Sequence, residues 1–306
     1  MEIKYKIVKK LFEILYDISP RLLLRFRFLT YYSYYKKLLS FKNPITLDEK
    51  LQWLKLNYYD GNKLISQCAD KYTVRNYVEK QGCGNILVNL LGVYDNASDI
   101  DWDSLPNKFV AKWNFGCGHN LICTDKSQLD FVKATKTLDD WKKESKKFFK
   151  WGAEMQYKTI VPKLIIEEYI ETDDNLAPVD YKVYCFHGEP FCMLTCTGRE
   201  SGHPKFYFVD KEWNLLRLNK TGLEAPEGYS PYKPNGYEKI FQYAKILSKD
   251  FPFVRADFYI EKERVYFGEL TFSPANGFDN NRLLSTNILF GSMLYLDRLD
   301  LYSKNQ

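Results

Sequence analysis

The sequence predicts an α+β fold with more than one lobe. Helical periodicity dominates to about residue 82, and short β-prone runs with inserted helices take over from about residue 109. At 306 residues, 45% hydrophobic and 17% aromatic, the chain can bury a large core, as one large domain or two to three smaller ones.

The opening stretch, MEIKYKIVKKLFEILYDISP, sets Ile3, Ile7, Leu11, Leu15 and Ile18 on one helical stripe, with Lys4, Lys6, Lys9 and Lys10 away from it. Pro20 ends that helix, and the basic, aromatic-rich RLLLRFRFLTYYSYYKKLLSFKNP follows. Two readings of this arm stay open. It is a helical hairpin packed on the body, or it lies on an anionic membrane, where each surface Lys or Arg is worth about 1 kcal/mol.

Thr46 and Glu49 in TLDEKLQWLKL form a capping box that opens a helix. QCADKYTVRNYVEKQG reads as one further helix ended by Gly82, ILVNLLGVYDN as a strand and IDWDSLP as a loop. NKFVAKWNFGCGHNLICTDK then gives strands at 109–114 and 120–123 around a glycine-containing loop, and a long charged helix covers about 127–157. KLIIEEYIE is a strand, followed by the acidic loop TDDNLAPV. DYKVYCFHG and EPFCMLTCTG pair around His187-Gly188, and KFYFVDKEWNLLRL forms another hairpin. NGYEKIFQYAKILSKDF is a helix with Ile240, Tyr243, Ala244 and Leu247 inward; a hairpin over 254–272 and a helix through NILFGSMLYLDRLDLY close the chain.

Composition excludes several classes. Residues 1–42 carry ten Lys/Arg against three Asp/Glu, within a chain total of +5, so the remainder is mildly acidic and no nucleic-acid partner is expected. The seven cysteines (Cys68, Cys83, Cys117, Cys123, Cys185, Cys192, Cys196) lack CxxC spacing and predict buried thiols rather than disulfides or zinc. Three histidines (His119, His187, His203) are too few and too dispersed for a His-based metal site. No run of about 18 apolar residues exists, and charges interrupt every N-terminal apolar stretch; a cytoplasmic protein without a signal peptide is expected.

Two isolated acids stand out. Asp257 in FVRADFYI and Glu269 in YFGELTFSPANGFD each sit in an apolar, β-prone run. A buried carboxylate must be paired or change its protonation state. With a three-residue loop at 262–264, Asp257 falls directly opposite Glu269, where like charges repel. A divalent cation held through oxygen relieves that conflict; pairing of one acid with a strand cation such as Arg255 is the alternative. VAKWNFGCGHN supplies a strand lysine, Lys112, and Gly116 and Gly118, whose backbone N–H groups can close over phosphate, although neither GxxxxGK[ST] nor GxGxxG is present.

In order and spacing, NPITLDEKLQWLKLN, ADKYTVRNYV, GVYDNASDIDWDSLPNKFVAKWNFGCGHN, LIIEEYI, DYKVYCFHGEP and VRADFYIEKERVYFGELTFSP resemble the ATP-grasp superfamily. The resemblance is to the branch named after teichuronopeptide biosynthesis proteins, found among bacterial surface-polysaccharide genes, and it spans about residues 43–280. It implies an ATP-grasp fold, two α+β lobes gripping ATP, preceded by an N-terminal helical region. The divisions are a basic arm (1–42), a helical pre-grasp region (43–106), a small lobe (107–170) and a large lobe (171–306).

The resemblance further implies ATP and Mg²⁺ as cofactors. Lys71, in a helix, and Lys112 would reach the phosphates, and the loop of Gly116 and Gly118 would close over them. Glu167, Glu168, Tyr169 and Ile170 would hold adenine; Asp180 would contact ribose, in competition with Asp173 and Asp174. Lys182 would face the γ-phosphate. Asp257 and Glu269 would hold the metal, with Thr271 standing where the superfamily usually has Asn; its hydroxyl, or Asn276, could complete the shell. The implied reaction is carboxylate–amine ligation through an acyl phosphate, joining an amino-acid amine to a carboxylate-bearing glycan or lipid-linked sugar. Arg199 is the candidate for the acceptor carboxylate, Arg282 a weaker one. Two other classes stay open: a nucleotide-sugar glycosyltransferase using Asp101 and Asp103 in DxD spacing, although these acids also suit a turn before Pro106, and a non-catalytic ATP-binding protein.

Overall fold

The computed structural model describes residues 2–35, 39–116, 118–172, 178–198, 203–297 and 299. Helices α1 (Glu2–Ile18) and α2 (Pro20–Tyr35) form a hairpin. Then come α3 (Leu47–Leu54), α4 (Lys63–Ala69) and α5 (Val74–Lys80). Strands β1 (Leu90–Tyr94), β2 (Phe109–Trp113) and β3 (Asn120–Cys123) precede α6 (Phe131–Phe148) and β4 (Leu164–Glu168). Strands β5 (Tyr181–Phe186), β6 (Glu189–Thr197), β7 (Lys205–Val209) and β8 (Leu215–Leu216) lead to α7 (Lys220–Glu224) and α8 (Tyr237–Ser248). The long hairpin of β9 (Phe253–Glu261) and β10 (Arg264–Thr271) and helix α9 (Leu284–Met293) follow.

The strands build two antiparallel sheets, one ordered β1-β4-β2-β3 and one ordered β10-β9-β5-β6-β7-β8. β1 joins the first sheet from upstream of residue 107, pairing with β4. The first sheet packs its own core under α6, with Phe109, Ala111, Trp113 and Leu138 buried. The second shares a larger core with α3, α5, α8 and α9, in which Leu51, Val183, Ile240, Phe258 and Phe290 meet. Ile240, Ala244 and Leu247 of α8 are buried in it, as their helical spacing predicts.

Local chemistry explains most boundaries. Thr46 caps α3 by accepting from the Glu49 backbone N–H, and the Glu49 carboxylate accepts from the Thr46 N–H in return. The helix expected across residues 67–82 is two helices. The Asp70 carboxylate accepts from the N–H groups of Tyr72 and Thr73, offering the backbone an alternative to helical bonding, and the chain breaks there. Lys71 therefore stands on a turn rather than a helix. The helix expected to 157 ends at Phe148, giving way to 3-10 turns on either side of Gly152. Described helix α9 also ends earlier than expected, at Met293. The six cysteines among the described residues are free and buried; Cys117 lies outside them. No described helix is long and apolar enough to cross a membrane.

Candidate functional site

Across the second sheet, Lys182 on β5 pairs with Asp257 on β9, which pairs with Glu269 on β10. The opposition of the two acids matches expectation but arises differently. The loop has two residues, Lys262 and Glu263, both at positive φ, so Arg264 pairs with Glu261 and the register runs one residue off. A bulge at Gly268 restores it. A Cβ at Gly268 would lie 2.9 Å from the Asp257 carbonyl oxygen, so the close strand approach that aligns the acids requires glycine.

Asp257 is buried between two cations. Arg255 donates to it through Nε (2.7 Å) and Nη2 (2.6 Å), and Lys182 Nζ donates at 2.8 Å. Lys182 also lies 3.2 Å from Asp180. Burial opposes the charge on Lys182, but Asp257 and Asp180 outweigh it and raise its pKa above that of an ordinary lysine. The pairing of Asp257 with Arg255, left open by the sequence, is thus present, and Arg255 joins the residues that line the cleft. Its signal was alternation: Arg255, Asp257 and Tyr259 share one face of β9.

Glu269 sits 3.3 Å from Lys71 Nζ and 4.0 Å from Arg255, and it accepts from the Thr271 hydroxyl at 3.1 Å. Thr271 in turn accepts from Arg255 at 3.2 Å, so its hydroxyl steadies both site groups. Burial opposes ionisation of Glu269, yet Lys71, Lys182, Arg255 and the Thr271 bond prevail and hold its pKa down to about 2. A depressed carboxyl contributes stability that is present above its unfolded value and lost as pH falls through the folded one. The stability advantage of the native chain over Glu269→Gln is therefore expected to be constant above about pH 4.5 and to shrink between there and about pH 2. Urea midpoints of both proteins, taken at pH 7 and pH 3, check this; an unchanged difference removes the ion pairs as its source.

From the other sheet, β2 alternates Phe109, Ala111 and Trp113 into the core with Val110 and Lys112 toward the cleft. Lys112 Nζ lies 2.6 Å from the buried Glu167 of β4, which Arg75 also approaches at 3.6 Å. Lys71 Nζ donates to the Gly116 carbonyl oxygen. Gly116 and Gly118 take φ of +71° and +78°, a region that favours glycine and turns the loop over the cleft.

Two adjoining cavities result. One, of about 370 Å³, is lined by Lys71, Lys112, Lys182 and Arg255 together with Asp180, Asp257 and Glu269, under Gly116 and Gly118. The other, of about 360 Å³, is mainly apolar, with Val110, Ile122, Tyr169, Ile170 and Phe267 around Glu167 and Glu168. Lys112, Asn120, Tyr259 and Gly268 line both, so they form one cleft with an apolar end and a cationic end. A nucleotide has that division: a flat base and a polyanionic tail. Asp180 stands at the cationic end, beside Lys182.

The oxygen donors Asp257 and Glu269 line the same cavity and suit a hard divalent cation. Among the described residues no group of three or more His, Cys, Asp or Glu could hold a metal. A site of this kind would need oxygen from substrate phosphates as well, which is a common Mg²⁺ arrangement.

Four expected participants belong elsewhere. Arg282 is wholly buried, donating to Asp48 at 2.9 Å with its guanidinium 5.9 Å from the Tyr184 ring centre, so it cannot meet a substrate. Asn276 is engaged by Lys55, which donates to its side-chain and carbonyl oxygens, both at 2.6 Å. Burial, aided by Arg27 and opposed by Glu154, pushes the pKa of Lys55 down to about 7. Asp101 and Asp103 are exposed, and Asp101 accepts from Ser104 in a turn. Arg199, Asp173 and Asp174 lie outside the described residues.

Among solved structures, the chain is similar to D-alanine–D-alanine ligase from Bacillus anthracis, at 14% identity and TM-score 0.46, over 79% of this chain and 67% of that one. It is also similar to the ATP-grasp ligase PsnB complexed with a precursor variant, Mg and ADP (11%, 0.40, 85% and 67%). A third is N5-carboxyaminoimidazole synthase from Aspergillus clavatus (10%, 0.40, 68% of this chain but 45% of that one). No curated protein matches the chain. The sequence profile of the TupA-like ATPgrasp family matches residues 49–294, which contain both sheets and the whole cleft, and the chain therefore belongs to the TupA-like ATP-grasp family.

Proposed function

We propose that the protein is an ATP-dependent carboxylate–amine ligase. The observation that carries this reading is the cleft itself, whose apolar end on β4 runs into a cationic end holding two opposed carboxylates. Adenine would lie against Val110, Ile122, Tyr169 and Ile170, near Glu167 and Glu168. Lys71, Lys112 and Lys182 would meet the phosphates, with Gly116 and Gly118 closing above them. Asp257 and Glu269, the latter steadied by Thr271, would hold Mg²⁺, which when bound offsets charge on the phosphates.

The carboxylate oxygen of one substrate attacks the γ-phosphorus of ATP, releasing ADP and leaving an acyl phosphate. An amine nitrogen then attacks the acyl carbon, inorganic phosphate departs, and the nitrogen loses a proton to give the amide. Lys182 and Arg255, which line the cationic end, would neutralise charge on the transferring group. Arg199 is proposed for the acceptor carboxylate on the resemblance alone. The same resemblance supports a glycan uronic acid as the carboxylate and an amino acid as the amine.

ATP with Mg²⁺ is expected to raise the melting temperature by mass action on the folded state, while a UDP-sugar leaves it unchanged. The reverse result favours a glycosyltransferase. An ADP-release screen crossing uronic acids and uronosyl lipids with amino acids then tests the reaction. In the same assay Glu269→Gln is expected to reduce turnover about 10²-fold or more, with its melt showing a folded protein; retained turnover removes Glu269 from the site.

A further inference from the structure

The hairpin of α1 and α2 grips the body with one face and leaves the other bare. At about 100° per residue, Lys9, Phe12, Glu13 and Tyr16 share the side of α1 that meets the body. The Lys9 ammonium stands 3.6 Å from the Trp151 ring centre, Glu13 accepts from Trp151 Nε1 at 3.2 Å, and Tyr16 meets Phe149 edge-on at 5.5 Å. Ile7, Leu11, Ile14 and Ile18 occupy the opposite side and are exposed, Ile7 at 63% and Ile18 at 68%. The apolar stripe of the sequence is thus real, but it is not the face that packs; Leu15 alone of its described members turns partly into the core.

α2 repeats the arrangement. Leu23, Leu24 and Phe28 are buried and Arg27 donates to the Trp151 carbonyl at 3.1 Å, while Leu22, Phe26 and Leu29 are exposed. Cations outnumber acids beside this apolar surface, although Asp17 is also exposed and Lys10 lies 3.6 Å from Glu13. Lys10, Arg21 and Arg25 are exposed. Of the described acids on the hairpin, Glu13 is buried and Asp17 is paired with Lys150 at 2.6 Å. The basic end of α6 adjoins the hairpin through Lys147, 3.4 Å from Glu13.

Exposed aliphatic stripes on two neighbouring helices forgo burial that the body could have supplied, so they call for an occupant. Aliphatic side chains rimmed by exposed cations match the boundary of an anionic bilayer, where the stripe enters the acyl region and the cations meet phosphate headgroups. A second copy fits less well, because a two-fold contact through this face would bring the same arginines together. We propose that the outer face of the α1–α2 hairpin docks the protein peripherally on an anionic lipid surface, independently of what the cleft catalyses.

Sedimentation of the full chain with phosphatidylglycerol-containing vesicles tests this, beside pure phosphatidylcholine vesicles. Binding is expected to the anionic vesicles only and to fall with added salt. The triple variant Ile7→Asn, Ile14→Asn, Ile18→Asn should bind about tenfold or more weakly, with an unchanged melting temperature and ATP-induced shift, since all three positions are exposed. Arg21→Glu with Arg25→Glu leaves the apolar stripe intact and should weaken binding to anionic vesicles. Wild-type protein remaining in the supernatant overturns the proposal. So does light scattering that shows a dimer which the triple variant dissolves, because a second copy then covers the stripe.

Discussion

Asp257→Asn is expected to lower acceptor-dependent ADP release by about 10²–10³-fold and to destabilise the protein by about 3 kcal/mol. Both effects have one cause. Asp257 is the buried anion to which Arg255 and Lys182 donate, and removing its charge leaves these two cations with only Asp180, at 3.2 Å from Lys182, and Glu269, at 4.0 Å from Arg255, to offset them. The activity loss follows because those cations would no longer be held where the γ-phosphate is proposed to sit, and because one of the two carboxylates proposed to hold Mg²⁺ is gone. Ligand-induced shifts separate these contributions from general damage. ATP alone should still stabilise the variant, since Lys71, Lys112, Lys182 and Arg255 all remain in the cavity. The further gain on adding Mg²⁺ should disappear. A variant that turns over within tenfold of wild type, or keeps the full Mg²⁺ gain, would falsify the placement of Asp257 at the transferring phosphoryl group.

Arg282→Met should have the opposite profile, a large stability loss with no direct effect on chemistry. The guanidinium is wholly buried, where it neutralises Asp48 and also reaches Asp279 at 3.4 Å. Asn287 additionally donates to Asp48 at 2.6 Å, tying α3 to α9. Removing the arginine strands a buried carboxylate, a change that costs about 3–5 kcal/mol and should lower the melting temperature by roughly 6 °C or more. At a temperature where the variant remains folded, its KM values for ATP and acceptor should match wild type. A raised acceptor KM with an unchanged melt would return Arg282 to the substrate site.

The carboxylate pair was legible because strands alternate with period two: lone acids in two adjacent apolar runs must be brought to one face or to opposite ones. The bulge that does it was not legible, since the need for glycine at 268 comes from the Asp257 carbonyl 2.9 Å away on the other strand. The capping box at Thr46 and the turn at His187-Gly188 were readable because every group involved lies within a few residues. Lys71 was misplaced on a helix because the Asp70 carboxylate takes the N–H groups of Tyr72 and Thr73, which helical periodicity alone does not reveal. Arg282 and Asn276 looked available beside a site strand; their partners, Asp48 and Lys55, come from more than 200 residues upstream.

The N-terminal arm shows the same division. By itself the sequence determined its helices, its positive charge and which side chains share a stripe, because these depend on spacing along one helix. It likewise determined the order of strands and the chemical types that meet in the cleft. Only the tertiary structure decided which face of the arm touches the body, which cation answers each buried acid, and that the apolar and cationic cavities join. Those outcomes depend on groups distant in sequence reaching contact distance, and charge pairing and packing act through space rather than along the chain.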